Sequence, residues 1–518
     1  MSKLFGDYYK GMFLISVLVM IGLVIFAIAI PDTFNTFWSG LNDGIVTNFG
    51  WWYAILANSV CFFLLYLLVS KYGKLRVGKM SDRPEHSTFS WIAMLFSSNV
   101  GVGLIFWGVA EPILHLHDRV YLLADPATEE SLSASLAIST SHWGIVAWGP
   151  CTLAALAIGF AAYRHGQPLT MAGALYGVLG DKVHGPWGKV IDTLSVIATI
   201  AGICTTIGLG VMSVSYGANY MFGIENSVML NIVIMLLVVA TFLLSSSVGI
   251  GRGIKRLSTA NVYLSLAMMA LILILGPTRF ILNATVTNIG GYLDHFFQIH
   301  FFLDTVETSG WLNWWTIFYW GWWLCWTPFV GGFIAKISKG RTIREFIMGA
   351  LIAPTILTVL WFGILGGAAI FSDINNIAPM YETISEYSQS GLYVLFSTYP
   401  AGIFLSLLVL INMVVFVCTS ADAASFYCAA CINKGSVTPK VGTKVTMGII
   451  IGISGLVLMQ TGGLSALQTV SIVFAFPFSF VVALMPFSTM KMLNKEYLEV
   501  FGDDRIPHKL PESEETIA

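Results

Sequence analysis

The chain has 518 residues, of which 56% are hydrophobic and 10% charged, against about 25% charged in an ordinary soluble domain; a soluble globular protein is excluded. With 26 Lys+Arg against 28 Asp+Glu the formal charge is −2, so no basic surplus exists to neutralise phosphates, and nucleic acid is not an expected partner. Apolar runs of about 20 residues, the length a helix needs to cross a bilayer, follow one another almost end to end and predict an all-α polytopic membrane protein.

The first run, 12–30, ends at Pro31-Asp32 without a small-residue cleavage site and reads as a retained span rather than a signal peptide. Eleven more are expected at 50–70, 88–109, 136–162, 190–217, 227–248, 257–281, 312–335, 346–371, 400–426, 443–459 and 463–490. Charge tests the count, because Lys and Arg concentrate in cytoplasmic connections. With the N-terminus in the cytoplasm, all but Arg119 and Arg279 of the 26 basic residues fall on that side, and both termini are expected there. The chain divides into a tail with two peripheral helices (1–87), a five-helix unit (88–281), an external link (282–311), a second five-helix unit (312–490) and a short tail (491–518). The link carries Tyr292, Phe296, Phe297 and Phe301, which suit a helix on the membrane surface or against the bundle, or equally an ordered loop. All seven cysteines lie in or beside apolar runs, and the Cys428-x-x-Cys431 pair, with no second pair or nearby histidine, reads as packing.

The third span carries Ser97-Ser98-Asn99-Val100-Gly101-Val102-Gly103 at mid-depth. Small residues suit a close helix crossing, but Asn99 beside two glycines favours unwinding, which leaves N–H groups around Gly101 and Gly103 for an anion and carbonyls for a cation. A second interruption is expected five spans later, at Trp326-Thr327-Pro328-Phe329-Val330-Gly331-Gly332. Paired broken helices mark inverted-repeat transporters, whose substrate lies between them. Just after the first break, Glu111, His115, His117 and Asp118 are the nearest approach to a metal set; they are placed in an external loop and not read as a site.

The eighth span reads Tyr319-Trp320-Gly321-Trp322-Trp323-Leu324-Cys325-Trp326. At about 100° per residue, Tyr319, Trp322, Trp323 and Trp326 share one face about 100° wide, while Trp320 stands apart. Trp322, Trp323 and Trp326 lie too deep for the interfacial belt, and buried indole faces suit a quaternary ammonium, which cannot donate hydrogen bonds. The fourth span adds His142, Trp143 and Trp148. On a straight helix the two tryptophans diverge by about 140°, so they share a pocket only if the helix bends or the pocket wraps around it. His142 reads as a hydrogen-bonded buried histidine rather than a proton carrier. No acid occurs from Ser97 to Gly108 or from Trp311 to Lys336, which leaves a bare cation without a counter-charge. The expected substrate is therefore zwitterionic or neutral overall, with a carboxylate or oxide on the N–H groups of the unwound stretch. The tenth span ends Phe416-Val417-Cys418-Thr419-Ser420-Ala421-Asp422, where adjacent hydroxyls beside carbonyls are hard ligands for a small cation; taken alone, back-bonding to the preceding turn is the simpler reading.

Residues 99–103, His142-Trp143 with Trp148, the run 319–331 and the loop from Lys336 to Glu345 together resemble the betaine/choline/carnitine transporter family. The resemblance implies a leucine-transporter-like fold of 12 transmembrane helices, a 5+5 inverted repeat preceded by two extra helices. It also implies a homotrimer in the bacterial cytoplasmic (inner) membrane that contacts lipid and moves onium substrates. It gives Trp143, Trp148 and Trp323 cage positions and Trp326 a neighbouring one. Sodium falls to the backbone carbonyls of Val100 and Phe416 with the hydroxyls of Thr419 and Ser420. Thr199 and Phe329 match a second sodium site whose hydroxyl position here holds Ile203, so one sodium is expected. Cys151 replaces a third aromatic of many relatives, which leaves the pocket wider or its wall completed elsewhere. Val330 replaces the methionine of sodium-independent exchangers and favours sodium coupling, while Lys255 keeps the charge of their arginine. The function implied is sodium-coupled symport of a zwitterionic methylated-onium solute such as glycine betaine, carnitine, trimethylamine oxide or dimethylsulfoniopropionate. Sodium-independent exchange and choline uptake are the alternatives. No cofactor beyond the coupling ion is expected, and neither an enzyme nor a channel fits, for want of a buried nucleophile–base pair and of a wet pore.

Overall fold

In the computed structural model, which describes residues 6–99, 101–118, 128–248, 251–306 and 310–502 (backbone alone for 96–99, 245–248 and 251–258), the regular elements are helical apart from one isolated antiparallel bridge between Arg76 and Thr342. In hydrocarbon the chain has no water to pair with, so each segment must satisfy its own N–H and C=O groups, and helix does so. The principal helices are α1 (Lys10–Ala29), α2 (Pro31–Val69), α3 (Thr88–Asn99), α4 (Val102–Asp118), α5 (Glu129–Trp143), α6 (Ile145–His165), α7 (Pro186–Phe222), α8 (Val228–Val248), α9 (Gly251–Leu275), α10 (Thr278–Asp294), α11 (Thr316–Ile337), α12 (Ile343–Ile374), α13 (Gly402–Ile432) and α14 (Val441–Phe501). The twelve expected stretches fall on these helices or on pairs of them. Among the described residues, seven units are long and apolar enough to cross a membrane by length and composition: α1, α2, α5 with α6, α7, α12, α13 and α14, or eight if α9 and α10, bent by 119°, form one span. α11 is outside that set although it is buried along most of its length, because its indole and phenol groups dilute its apolarity.

The lipid-like exterior is plain on α1. Met12, Ser16, Met20, Leu23 and Ala27 form a buried stripe at helical spacing, while Leu14, Leu18, Ile21 and Ile25 on the other faces are exposed. At the opposite end of the chain, α14 spans two expected stretches. They meet at a kink where Gly463 takes φ +59°, a left-handed conformation open to glycine. α10 covers most of the expected link: it turns back and buries Ile281, Ala284, Asn288 and Tyr292 against α5.

α3 ends at Asn99 and α4 starts at Val102, as expected for the first interruption; Val100 and the side chain of Asn99 lie outside the described residues. The second expected interruption is absent. α11 runs unbroken from Thr316 to Ile337 through Pro328, as membrane helices tolerate proline where neighbouring helices pack around it. The chain breaks instead ahead of α11, where Trp315 (φ −115°, ψ −91°) separates it from the short turn Trp311–Trp314. Beyond α11 the basic loop clamps onto the segment ahead of α3. Gly340 N–H donates to Val77 C=O at 2.7 Å, and Val77 N–H to Arg341 C=O at 2.9 Å. Arg341 donates to the His86 carbonyl at 2.6 Å and the Thr88 hydroxyl at 3.0 Å, and lies 4.7 Å from the Trp91 ring.

Candidate functional site

α5 and α6 meet at Gly144 (φ −92°, ψ −149°). A Cβ there would stand 2.6 Å from the Thr140 carbonyl, so the bend requires glycine. This bend is what the sequence left open: Trp143 and Trp148, on either side of it, both reach Trp323, edge to face, with centroids 5.3 and 4.5 Å away. Trp326 lies 5.5 Å from both Trp322 and Trp323, and Trp322 and Tyr319 lie 5.8 and 5.4 Å from Trp143. All six rings are at most 2% exposed.

The walls are fixed by hydrogen bonds. Trp322 N–H donates to the Gly202 carbonyl at 3.0 Å, Trp323 to the His142 carbonyl at 2.8 Å and Trp326 to the Thr206 hydroxyl at 3.2 Å. The stretch of α12 between its two π-helical turns brings further donors: Thr358 to the Trp143 carbonyl at 2.9 Å and Trp361 to the Leu104 carbonyl at 3.0 Å. The rings lean on the start of α4. A Cβ on Gly103 would stand 2.5 Å from both Trp143 and Trp322, and one on Gly101 would stand 2.9 Å from Trp326. Both glycines therefore admit the aromatic walls, and Gly103 keeps its N–H in the first helical turn, where amides have no carbonyl partner within the helix. Cys151 is buried, its thiol 4.0 Å from the Thr327 hydroxyl.

The expected absence of a carboxylate near the cage does not hold. Glu111, fully buried, accepts from Trp143 N–H at 3.0 Å and Tyr319 O–H at 2.6 Å on one oxygen. Its other oxygen meets His142 Nδ1 at 2.5 Å and His115 Nε2 at 3.3 Å. The acid is outside both sequence windows but lies about 12 Å along α4 from Gly103, where the end of α5 packs across it. The placement of Glu111 and His115 in an external loop is likewise overturned: both belong to α4, and helical spacing of four residues turns them inward together. His117 faces elsewhere, 2.7 Å from Asp373. Glu111, His115 and His142 are close enough to suggest a metal set. Ligands on one tetrahedral zinc, however, stand about 3.3 Å apart, and the 2.5 Å contact is that of a hydrogen bond. Sequence windows missed Glu111; the signal available was an acid and a histidine four residues apart on an otherwise apolar helix, since ionisable residues inside a membrane mark function by default.

At the end of the bundle that carries the basic loops, a cavity of about 480 Å³ opens between α11 and α13, lined by Phe329, Val330, Lys336, Thr419, Ser420 and Asp422 among others. Thr419 donates to the carbonyls of Val415 and Phe416 at 3.0 and 3.1 Å. Its proton is thus engaged in the preceding turn, while its lone pairs remain available to a cation. Phe416 is buried close by on the same helix. Thr199, fully buried on α7, has a hydroxyl with no partner among the described residues; Phe329 packs on Trp326 at 5.7 Å.

Residues 11–498 match the sequence model of the betaine/carnitine/choline family of transporters. The chain is 38% identical to a glycine betaine transporter of Bacillus subtilis, covering 95% of this chain and 96% of the relative. It is 33% identical to an ectoine/hydroxyectoine transporter of Virgibacillus pantothenticus, covering 93% and 96%. To an osmo-dependent choline transporter of Acinetobacter baylyi it is 35% identical, covering 94% of this chain and 71% of the relative.

Proposed function

Since the chain belongs to the betaine/carnitine/choline transporter family, we propose that it imports a zwitterionic methylated-onium solute, glycine betaine foremost, by sodium-coupled alternating access across the bacterial cytoplasmic membrane. The observation that carries this reading is the cluster of six buried aromatic rings, three of which, Trp143, Trp322 and Trp326, close on the glycine-rich start of α4. Each desolvated indole face holds an onium group by about 2 kcal/mol or more, and the first-turn N–H groups of α4 suit a carboxylate at the other end. One sodium is assigned to Val100, Phe416, Thr419 and Ser420, and Thr199 and Phe329 are the positions that match a second. In support, Thr419 and Ser420 line a cavity at the basic end, which by the positive-inside rule is the cytoplasmic end and holds both termini. A homotrimer is proposed on the apolar stripe of α10, where Leu282, Val286, Ile289 and Leu293 are all exposed.

Choline uptake is the second reading, and Glu111 favours it, because a buried carboxylate behind the cage also supports a bare cation. Uptake into proteoliposomes of labelled glycine betaine, carnitine and choline, with and without an inward sodium gradient, separates the cases. Glycine betaine should accumulate only with the gradient and resist competition by choline. Equal uptake in sodium-free potassium buffer would establish exchange, choline outcompeting every zwitterion would establish a choline carrier, and no onium uptake at all would refute the reading.

A further inference from the structure

The Glu111 carboxylate is tied to three helices at once. Its own is α4; Trp143 and His142 come from α5, and Tyr319 from α11. Trp143 N–H can only donate, and an ionised carboxylate can only accept, so the contacts at 2.6, 2.5, 3.0 and 3.3 Å match the inventory of a charged acid. The histidines need not neutralise it. His142 can donate from Nδ1 to Glu111 and accept at Nε2 from the Thr316 hydroxyl, 3.0 Å away. His115 Nδ1 is buried with no partner among the described residues, so a proton there would be a buried donor without an acceptor, which is costly. Both rings are satisfied best as neutral imidazoles, and among the described residues no lysine or arginine pairs with the carboxylate.

Resting on the reading of the cage as an onium site, we propose that Glu111 supplies its fixed negative charge: a positioning residue that acts through Trp143 and Tyr319 rather than by touching substrate. Two effects follow from the geometry. The carboxylate holds Trp143 and Tyr319 by their polar edges, so that their rings stay on the cage wall 5.4 Å apart. A hydrogen bond from the indole N–H to an anion also pushes electron density onto the ring, which deepens the face that attracts a cation. The negative charge itself lies at the far edge of the Trp143 indole, 3.0 Å from its N–H, within unscreened range of a cation on that ring in a buried site. The zwitterion is retained by this arrangement, because its own carboxylate binds at the far, α4 first-turn end.

The test compares charge with shape in purified protein reconstituted into proteoliposomes. Glu111→Gln preserves size but removes the charge and turns one acceptor oxygen into a donor NH2, which the histidine side can meet by a change of imidazole tautomer; Glu111→Asp keeps the charge on a shorter stem. For each, the KM of labelled glycine betaine is measured, together with the inhibition constant of 3,3-dimethylbutanoate, which has the same shape with carbon in place of nitrogen. Glu111→Gln should raise the glycine betaine KM on the order of tenfold with little change in maximal rate, and leave inhibition by the carbon analogue within about twofold. Glu111→Asp should bind glycine betaine more tightly than Glu111→Gln. A purely structural role weakens both compounds in parallel, and that result, an unchanged KM in Glu111→Gln, or Gln binding as well as Asp would overturn the proposal. Should the carbon analogue fail to inhibit even the wild type, the order of Asp and Gln decides. Absence of onium uptake by the wild type refutes the transport reading instead, and is thereby distinguishable.

Discussion

Adding a single methyl group at Gly103 tests whether the cage depends on close approach to α4. In Gly103→Ala the new Cβ would stand 2.5 Å from the Trp143 ring and 2.5 Å from the Trp322 ring, where about 3.5–4.0 Å is the normal carbon–carbon separation. One or both indoles must retreat by about 1 Å. Neither is free to do so: Trp143 is held to Glu111 at 3.0 Å and Trp322 to the Gly202 carbonyl at 3.0 Å. Overpacking of this kind costs about 1–3 kcal/mol. If it falls on the substrate-competent arrangement, KM rises by about five- to a hundredfold, since each 1.4 kcal/mol is tenfold. The assay is the KM of glycine betaine in proteoliposomes, with thermal unfolding in detergent as the control for folding. Gly44→Ala is the matched comparison: nothing lies within 4 Å of its new Cβ, and removing glycine from a helix gains about 0.5–1 kcal/mol, so stability should hold or rise and KM should not move. A Gly103→Ala protein with wild-type KM would refute the packing of Trp143 and Trp322 against α4. The same clash means that an aspartate at Gly103 tests displacement of the cage before it tests charge.

Trp323→Ala should abolish saturable uptake in a folded protein, because it removes the ring that both Trp143 and Trp148 pack on; unchanged KM in uptake assays would remove the cage from the account. Trp143→Ala should do the same and also lower the thermal midpoint, since Glu111 loses a donor. Replacing Thr419 and Ser420 together by alanine removes two hard oxygen ligands and should steeply raise the sodium concentration for half-maximal uptake, measured by titrating external sodium at fixed substrate; an unchanged value would place the ion elsewhere. Arg341→Ala severs the contacts to the His86 carbonyl, Thr88 and the Trp91 ring. At about 1.5–3 kcal/mol for each hydrogen bond to a charged group, it should lower the thermal midpoint without changing KM, because the clamp lies away from the cage.

What the sequence determined by itself is what local chemistry encodes. Uninterrupted apolar runs leave the backbone no partner but itself, so the helices and the membrane class follow from composition and length. A period of 3.6 residues puts Tyr319, Trp322, Trp323 and Trp326 on one face wherever α11 lies, and glycines beside Asn99 mark the break before α4. The tertiary structure decided everything that depends on how helices meet. Trp143 and Trp148 converge because Gly144 bends the chain between them, a bend no periodicity reports. Pro328 leaves α11 intact, since neighbouring helices pack around it on all sides and hold the helix despite the missing N–H, whereas the break falls at Trp315, which carries no proline or glycine. Glu111 looked remote because its distance from the cage was judged along the chain. Across the bundle it touches Trp143 and Tyr319, which are 32 and 208 residues away in sequence, and a buried carboxylate can be held only where several helices deliver donors to the same point.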